Sequence, residues 1–165
     1  MAPRLSPVTR AGMFLLLLAC ASDPLTTAGE SYLVEMRPLF TENRALGEQL
    51  LQVASKVKKN EAEPAAVAAI VAGAVVKQTG ELATKAAAVR PGDTQLATAH
   101  GELVAAWKHR AEAYSGAAAA WNAKDTAAFD KAVKAVGAAS DEEAQAAEHL
   151  ERVLEPAGVT VDIYP

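Results

Sequence analysis

The chain has 165 residues, 51% of them hydrophobic but only 5% aromatic, and its formal charge is −4. That length suggests one domain with enough sequence to bury a core. The balance excludes a nucleic-acid footprint, which needs a clustered basic excess: the longest basic run, Lys56-Val57-Lys58-Lys59, is followed at once by Glu61 and Glu63. Alanine supplies about a quarter of the residues, well above ordinary usage. It loses no side-chain entropy in a helix, and its small side chain lets helices approach closely. The composition therefore predicts an all-α protein.

Arg4 and Arg10 flank the entry to a short apolar stretch, Ala11 to Ala19. A helix needs about 20 residues to span a bilayer, so this is the layout of a secretory signal. Leu17-Leu18-Ala19-Cys20 resembles the lipobox of bacterial lipoproteins, in which a large aliphatic, a tolerant and a small residue precede the cysteine. Leu18 is bulkier than the usual Ala, Ser or Thr. The resemblance implies cleavage between Ala19 and Cys20, diacylglycerol on the Cys20 thiol, and acylation of the new amine. Several chains at about 0.8 kcal/mol per buried methylene make a stable membrane anchor. Ala21, not aspartate, follows the cysteine. By the same resemblance, this favours the outer membrane or cell surface of a diderm host. Two plainer readings stay open: an ordinary signal cut near Ala19-Cys20-Ala21, and an apolar N-terminus of a cytoplasmic protein. Without residues 1–19 the chain has 14 Lys plus Arg against 20 Asp plus Glu, so attachment is expected to rest on acyl chains and not on a basic patch.

Residues 20–29 read as lipidated cysteine and tether, with Thr27 and Glu30 fitting a capping box. The first helix is expected from about Glu30 to Asn60. Met36, Leu39, Phe40, Leu46, Leu50 and Val53 give it one apolar face, and Pro38 marks a kink or the real first turn. Pro64 is placed to start a second helix with a stripe from Val67 to Val89, ending at Arg90-Pro91-Gly92-Asp93. Asp93 can cap a third helix and Asp125 a fourth, each carboxylate accepting from free N–H groups. Ser140 and Glu143 fit another capping box that would split the fourth helix, but one continuous helix is favoured. Residues 156–165 read as an extended tail. Four helices of similar length with short loops predict an up-down-up-down four-helix bundle over residues 30–155.

Bundles can hold metals and cofactors, and the motifs for them are absent. Ala97, Ala106 and Ala146 stand three residues before His100, His109 and His149, so there is no Glu-x-x-His. There is no C-x-x-C-H and no H-E-x-x-H. No catalytic residue, metal or cofactor is expected. His100, Asn43 and Gln78 interrupt apolar stripes and are candidates for a ligand pocket. The plainer alternatives are a hydrogen-bonded, half-buried histidine and polar residues that fix helix register. Trp107, Tyr114 and Trp121 recur every seven residues, as core packing or as a strip that docks a partner.

The expected protein is thus a lipid-anchored, extracytoplasmic bundle that binds or scaffolds, with a protein partner in an envelope assembly such as a motility, adhesion or secretion complex. The alternative is an extracytoplasmic bundle that binds a small ligand or metal.

Overall fold

The computed structural model describes residues 24–59, 68–158 and 160. Residues 1–23, Cys20 among them, lie outside the described residues, as do Pro64 and, in the expected tail, residues 159 and 161–165; the tail's first residues, Pro156 and Ala157, are not extended but close a 3₁₀ turn. The described residues form four helices and no strand. Helix α1 is Pro24–Lys58. A π-helical stretch, Val71–Val75, runs directly into α2, Val76–Ala88. Helix α3 is Thr94–Ala123, and α4 is Thr126–Leu154, followed by a 3₁₀ turn, Glu155–Ala157.

Helix α1 starts at Pro24, inside the stretch expected as tether. Proline suits a first helical turn, because its φ is preset and its missing N–H would have had no partner there. Tertiary contacts hold this early start. The Thr26 hydroxyl donates to the Ala157 carbonyl at 3.4 Å, and Gly29 is buried. The capping signal of Thr27 gives way to them. Pro38 leaves the helix unbroken. Pro38 and Val34 are both exposed, so the Val34 carbonyl that loses its partner can bond water.

Both carboxylate caps form. Asp93 accepts from Gln95 N–H at 2.8 Å and Leu96 N–H at 2.9 Å; Asp125 accepts from Ala128 N–H at 2.9 Å. Helix α4 is continuous through Gly137 and Ser140, whose hydroxyl bonds back to the Val136 carbonyl at 3.0 Å. Glu143 turns inward instead of capping anything.

The core is concentrated at one end. Leu33, Met36 and Phe40 of α1 meet Leu82 and Ala86 of α2, Leu96, Leu103 and Trp107 of α3, and Ala147, Leu150 and Leu154 of α4. Toward the α3–α4 turn the buried residues are mostly alanines: Ala113, Ala117, Ala120 and Ala139. A fully buried Leu or Phe is worth roughly 1.5–3 kcal/mol, and an alanine methyl far less. Burial therefore stabilises the first end much more than the second. What the alanines give is closeness: a methyl built on Gly116 of α3 would lie 3.8 Å from Ala132 Cβ of α4.

Candidate functional site

The three residues proposed as a pocket do not meet. His100 sits on α3 between α1 and α2, 5% exposed. Its Nε2 lies 3.1 Å from the Ala86 carbonyl, and its Nδ1 lies 3.2 Å from the Tyr32 hydroxyl. Nε2–H donates to the carbonyl, which leaves Nδ1 to accept from the phenol. Burial lowers the imidazole pKa; the Ala86 bond opposes that shift and the nearby Arg90 charge adds to it. Burial also pushes the Tyr32 phenol well above its usual range. Both groups stay neutral at physiological pH, and both ring nitrogens are engaged. Gln78 is half-buried on α2 and takes no part in this set.

Asn43 belongs to a different network, centred on Glu143 of α4. One carboxylate oxygen accepts from Asn43 Nδ2 at 2.8 Å and from Trp107 Nε1 at 2.9 Å. The other accepts from the Arg110 guanidinium at 2.5 Å, and a second Arg110 nitrogen donates to Asn43 Oδ1, also at 2.5 Å. The ring of contacts ties α1, α3 and α4 together. The Arg110 guanidinium carbon also stands 5.9 Å from the Trp107 ring centroid, and Phe40 packs edge-on to the same ring. An ion pair this buried, with side chains 12% and 6% exposed, is held by the hydrogen bonds to its carboxylate and to two of the guanidinium nitrogens and not by Coulomb attraction alone. Arg110 Nε is buried and makes no hydrogen bond, while the remaining polar atoms of the set bond one another across the three helices and fix their register.

The sequence reading did not single out Arg110, and it met Glu143 only in a capping box that it set aside in favour of one continuous helix. The signal was there. Glu143 falls four residues after Ala139 and four before Ala147, on the apolar stripe, while Arg110 is one turn on from Trp107.

The aromatic row on α3 divides along its length. Trp107 is fully enclosed and hydrogen-bonded, so no partner reaches it. Tyr114 is half-buried, and its phenol pKa is raised by burial, with Glu143 raising it further and Arg110 opposing. Trp121 is 38% exposed and leans on Phe129 of α4 at 5.6 Å between ring centroids. Tyr114 and Trp121, with Phe129, Val133 and Val136, line an open groove of about 500 Å³ that Ala54 of α1 and Val71 of the π-helical stretch close on the other side. Every lining side chain is aliphatic or aromatic, and the Tyr114 hydroxyl and the Trp121 indole N–H are their only polar atoms. Val133 is 50% exposed, and Leu51, one turn from Ala54, is 70% exposed.

Trp121 and Phe129 also line a second recess of about 340 Å³, with Ala120, Lys124, Asp125 and Thr126. Lys124 is the one described non-glycine residue with positive φ, at 55°. Its N–H satisfies the carbonyls of Ala120 and Trp121 at the end of α3. Glycine or asparagine usually fills such a position, because a β-carbon costs about 1 kcal/mol there.

Polar pairs bridge the helices outside the groove. His109 Nδ1 is 2.7 Å from Glu142, His149 Nδ1 is 2.7 Å from Glu102, and Lys85 reaches Glu42 at 2.8 Å. The bond to Glu142 raises the His109 pKa. Among the described residues no three His, Cys, Asp or Glu side chains gather as a metal site, and no helix is long and apolar enough to cross a membrane. Comparison with protein families, curated proteins and solved structures finds no match to this chain.

Proposed function

We propose that this chain is a lipid-anchored cell-envelope protein that works by binding, as one component of an envelope assembly. In this reading the signal ends at Ala19, Cys20 carries the acyl chains, and the helices form an up-down-up-down bundle standing on that anchor at the outer membrane or cell surface. Contacts between distant residues support the bundle arrangement: Thr26 with Ala157, Tyr32 with His100, Phe40 with Trp107, Asn43 with Glu143, and Ala54 across the groove from Val136. In that order they run along α1 from its start toward its end.

The observation that carries the binding reading is where the groove lies. Ala54 is 30 residues along α1 from Pro24, or about 45 Å at 1.5 Å per residue. The anchored end is thus the well-packed one, and the apolar groove is held far from the point of attachment.

Two measurements test this. A palmitate analogue fed to cells is expected to label the wild type and not Cys20→Ala; equal labelling of the two disproves the anchor. A photo-crosslinker placed at position 133 in intact cells is expected to give a discrete adduct, which the same crosslinker at exposed position 151 does not give. Identical patterns at both positions would remove the groove as the working site.

A further inference from the structure

We propose that a second copy of this chain docks on the outer furrow between α3 and α4, where an alternating set of histidines and glutamates is complementary to itself. No residue that lines this furrow lines the apolar groove, so a dimer formed here leaves the groove open.

Two polar bars cross the furrow. His109 of α3 meets Glu142 of α4, and Glu102 of α3 meets His149 of α4, each at 2.7 Å. The two bars are seven residues apart on either helix. Seven residues are nearly two turns, so both bars lie on one face, about 10 Å apart. Within each bar a histidine stands opposite a glutamate, and along each helix a histidine follows or precedes a glutamate. The signs therefore alternate both across the furrow and along it. These side chains are open to solvent, at 58% and 51% in one bar and 34% and 51% in the other. Between the bars the floor is Ala105, Ala106 and Ala146, and past the His109 bar it runs on through Gly116, Ala135 and Ala138. With only methyl groups and hydrogens there, another pair of helices can approach closely.

A pattern that alternates in both directions fits its own copy. With a two-fold axis along the helices, His109 lies over Glu142 of the partner subunit, and Glu102 lies over the partner's His149. With the axis across the helices, His109 lies over the partner's Glu102, and Glu142 over the partner's His149. In both cases every histidine meets a glutamate. A protonated ring donates Nδ1–H within its own bar and has Nε2–H left for the other copy, and a carboxylate can accept both. The other charges of the furrow do not oppose this. Counted from the bars, Glu112, Lys131 and Arg152 stand level with Ala139, Ala120 and Ala99 of the facing helix, so with the axis along the helices no like charges meet. Any other partner would have to reproduce the alternation, whereas a second copy already carries it. The size is adequate. From Ala128 to Arg152 the furrow follows about 36 Å of α4, and two helices side by side are about 20 Å wide, a footprint of about 700 Å². A stable interface buries about 800 Å² on each partner. The choice of axis rests on the lipid anchor: two chains held by one membrane at their Pro24 ends point the same way, which selects the axis along the helices.

The mature chain, residues 20–165, is taken with Cys20→Ala so that acyl chains cannot gather copies. Its mass is measured by sedimentation equilibrium up to about 100 μM, where a dimer of about 10 μM affinity is mostly formed. A mass of two chains is expected. One variant combines His109→Glu with His149→Glu, and another combines Glu102→Lys with Glu142→Lys; all four positions lie outside the core cluster. Each variant alone is expected to self-associate at least about tenfold more weakly. An equal mixture should recover a two-chain mass, because acidic bars then meet basic ones. A wild-type chain that stays single, variants that pair as tightly as the wild type, or a mixture that stays single overturns the proposal. In cells, the lipoprotein carrying Ala105→Cys, co-expressed with one carrying Gln145→Cys, is expected to give a disulfide-linked pair. Linkage of Ala105→Cys copies only to each other overturns the axis along the helices. A two-chain mass without palmitate labelling of the wild type counts against the anchor and leaves the furrow standing.

Discussion

At the scale of single residues, Glu143 matters most. Its carboxylate receives three hydrogen bonds from three side chains on two other helices, and it sits beside the only buried guanidinium that the network holds. Removing one partner of a buried ion pair leaves the other charge without compensation. Glu143→Gln is therefore expected to cost about 3–5 kcal/mol, read as the shift in urea midpoint at constant slope. Replacing Glu143, Arg110 and Asn43 together by apolar residues of similar volume should recover a large part of that loss, because no buried charge then remains. If the single and triple variants are equally unstable, the network is holding more than register. In the sequence this residue was half legible. Its stripe phase placed it inside, but a carboxylate three residues after a serine also spells a helix start. The choice depended on Arg110, Asn43 and Trp107, which lie up to 100 residues away.

At the scale of elements, His100 is the joint among α1, α2 and α3. Charging its ring would break the bond accepted from Tyr32 and place a cation beside Arg90. In the unfolded chain an imidazole binds its proton near pH 6.5, and in the folded chain it does so only lower. Between those two values the unfolded state holds more protons, so stability falls as pH falls. His109 works in the opposite direction. Its folded pKa is raised by Glu142, so its contribution is full below the ordinary value and is lost as pH rises through the raised one. To isolate the joint, urea midpoints are compared at about pH 7.5 and about pH 5.5 in His109→Gln. The midpoint should drop at the lower pH, and His100→Gln added to that background should flatten the change. The helices themselves were largely legible, because periodicity, Asp93, Asp125 and the Pro91-Gly92 turn are local signals. The early start of α1 and the π-helical stretch Val71–Val75 were not, since the first depends on Ala157 and the second has no residue pattern of its own.

At the scale of the whole molecule, the end holding Leu96, Leu103, Leu150 and Leu154 is dense with large side chains, and the groove end is built from alanines around an open slot. Native-state hydrogen exchange should show this as a gradient. Amides from Leu96 to Trp107 are expected to exchange only through global unfolding, and those from Tyr114 to Ala123 through smaller openings at lower free energy. Uniform protection along α3 would contradict the uneven burial. The dense end was legible from the spacing of leucines. The groove was not, because Trp121, Phe129 and Val133 continue the same stripes and only the thinning of opposing side chains leaves them uncovered. The contact between Thr26 and Ala157 carries a consequence of timing. It joins residues 131 positions apart, so the N-terminal end of α1 has no finished surface to rest on until the turn after α4 has been made. Synthesis delivers α1 first, α2 and α3 next, and the last of its partners, α4, only afterwards. Leu33, Met36 and Phe40 can find part of their cover in Leu82, Ala86, Leu96 and Trp107 as α2 and α3 emerge, and only Ala147, Leu150 and Leu154 of α4 complete it.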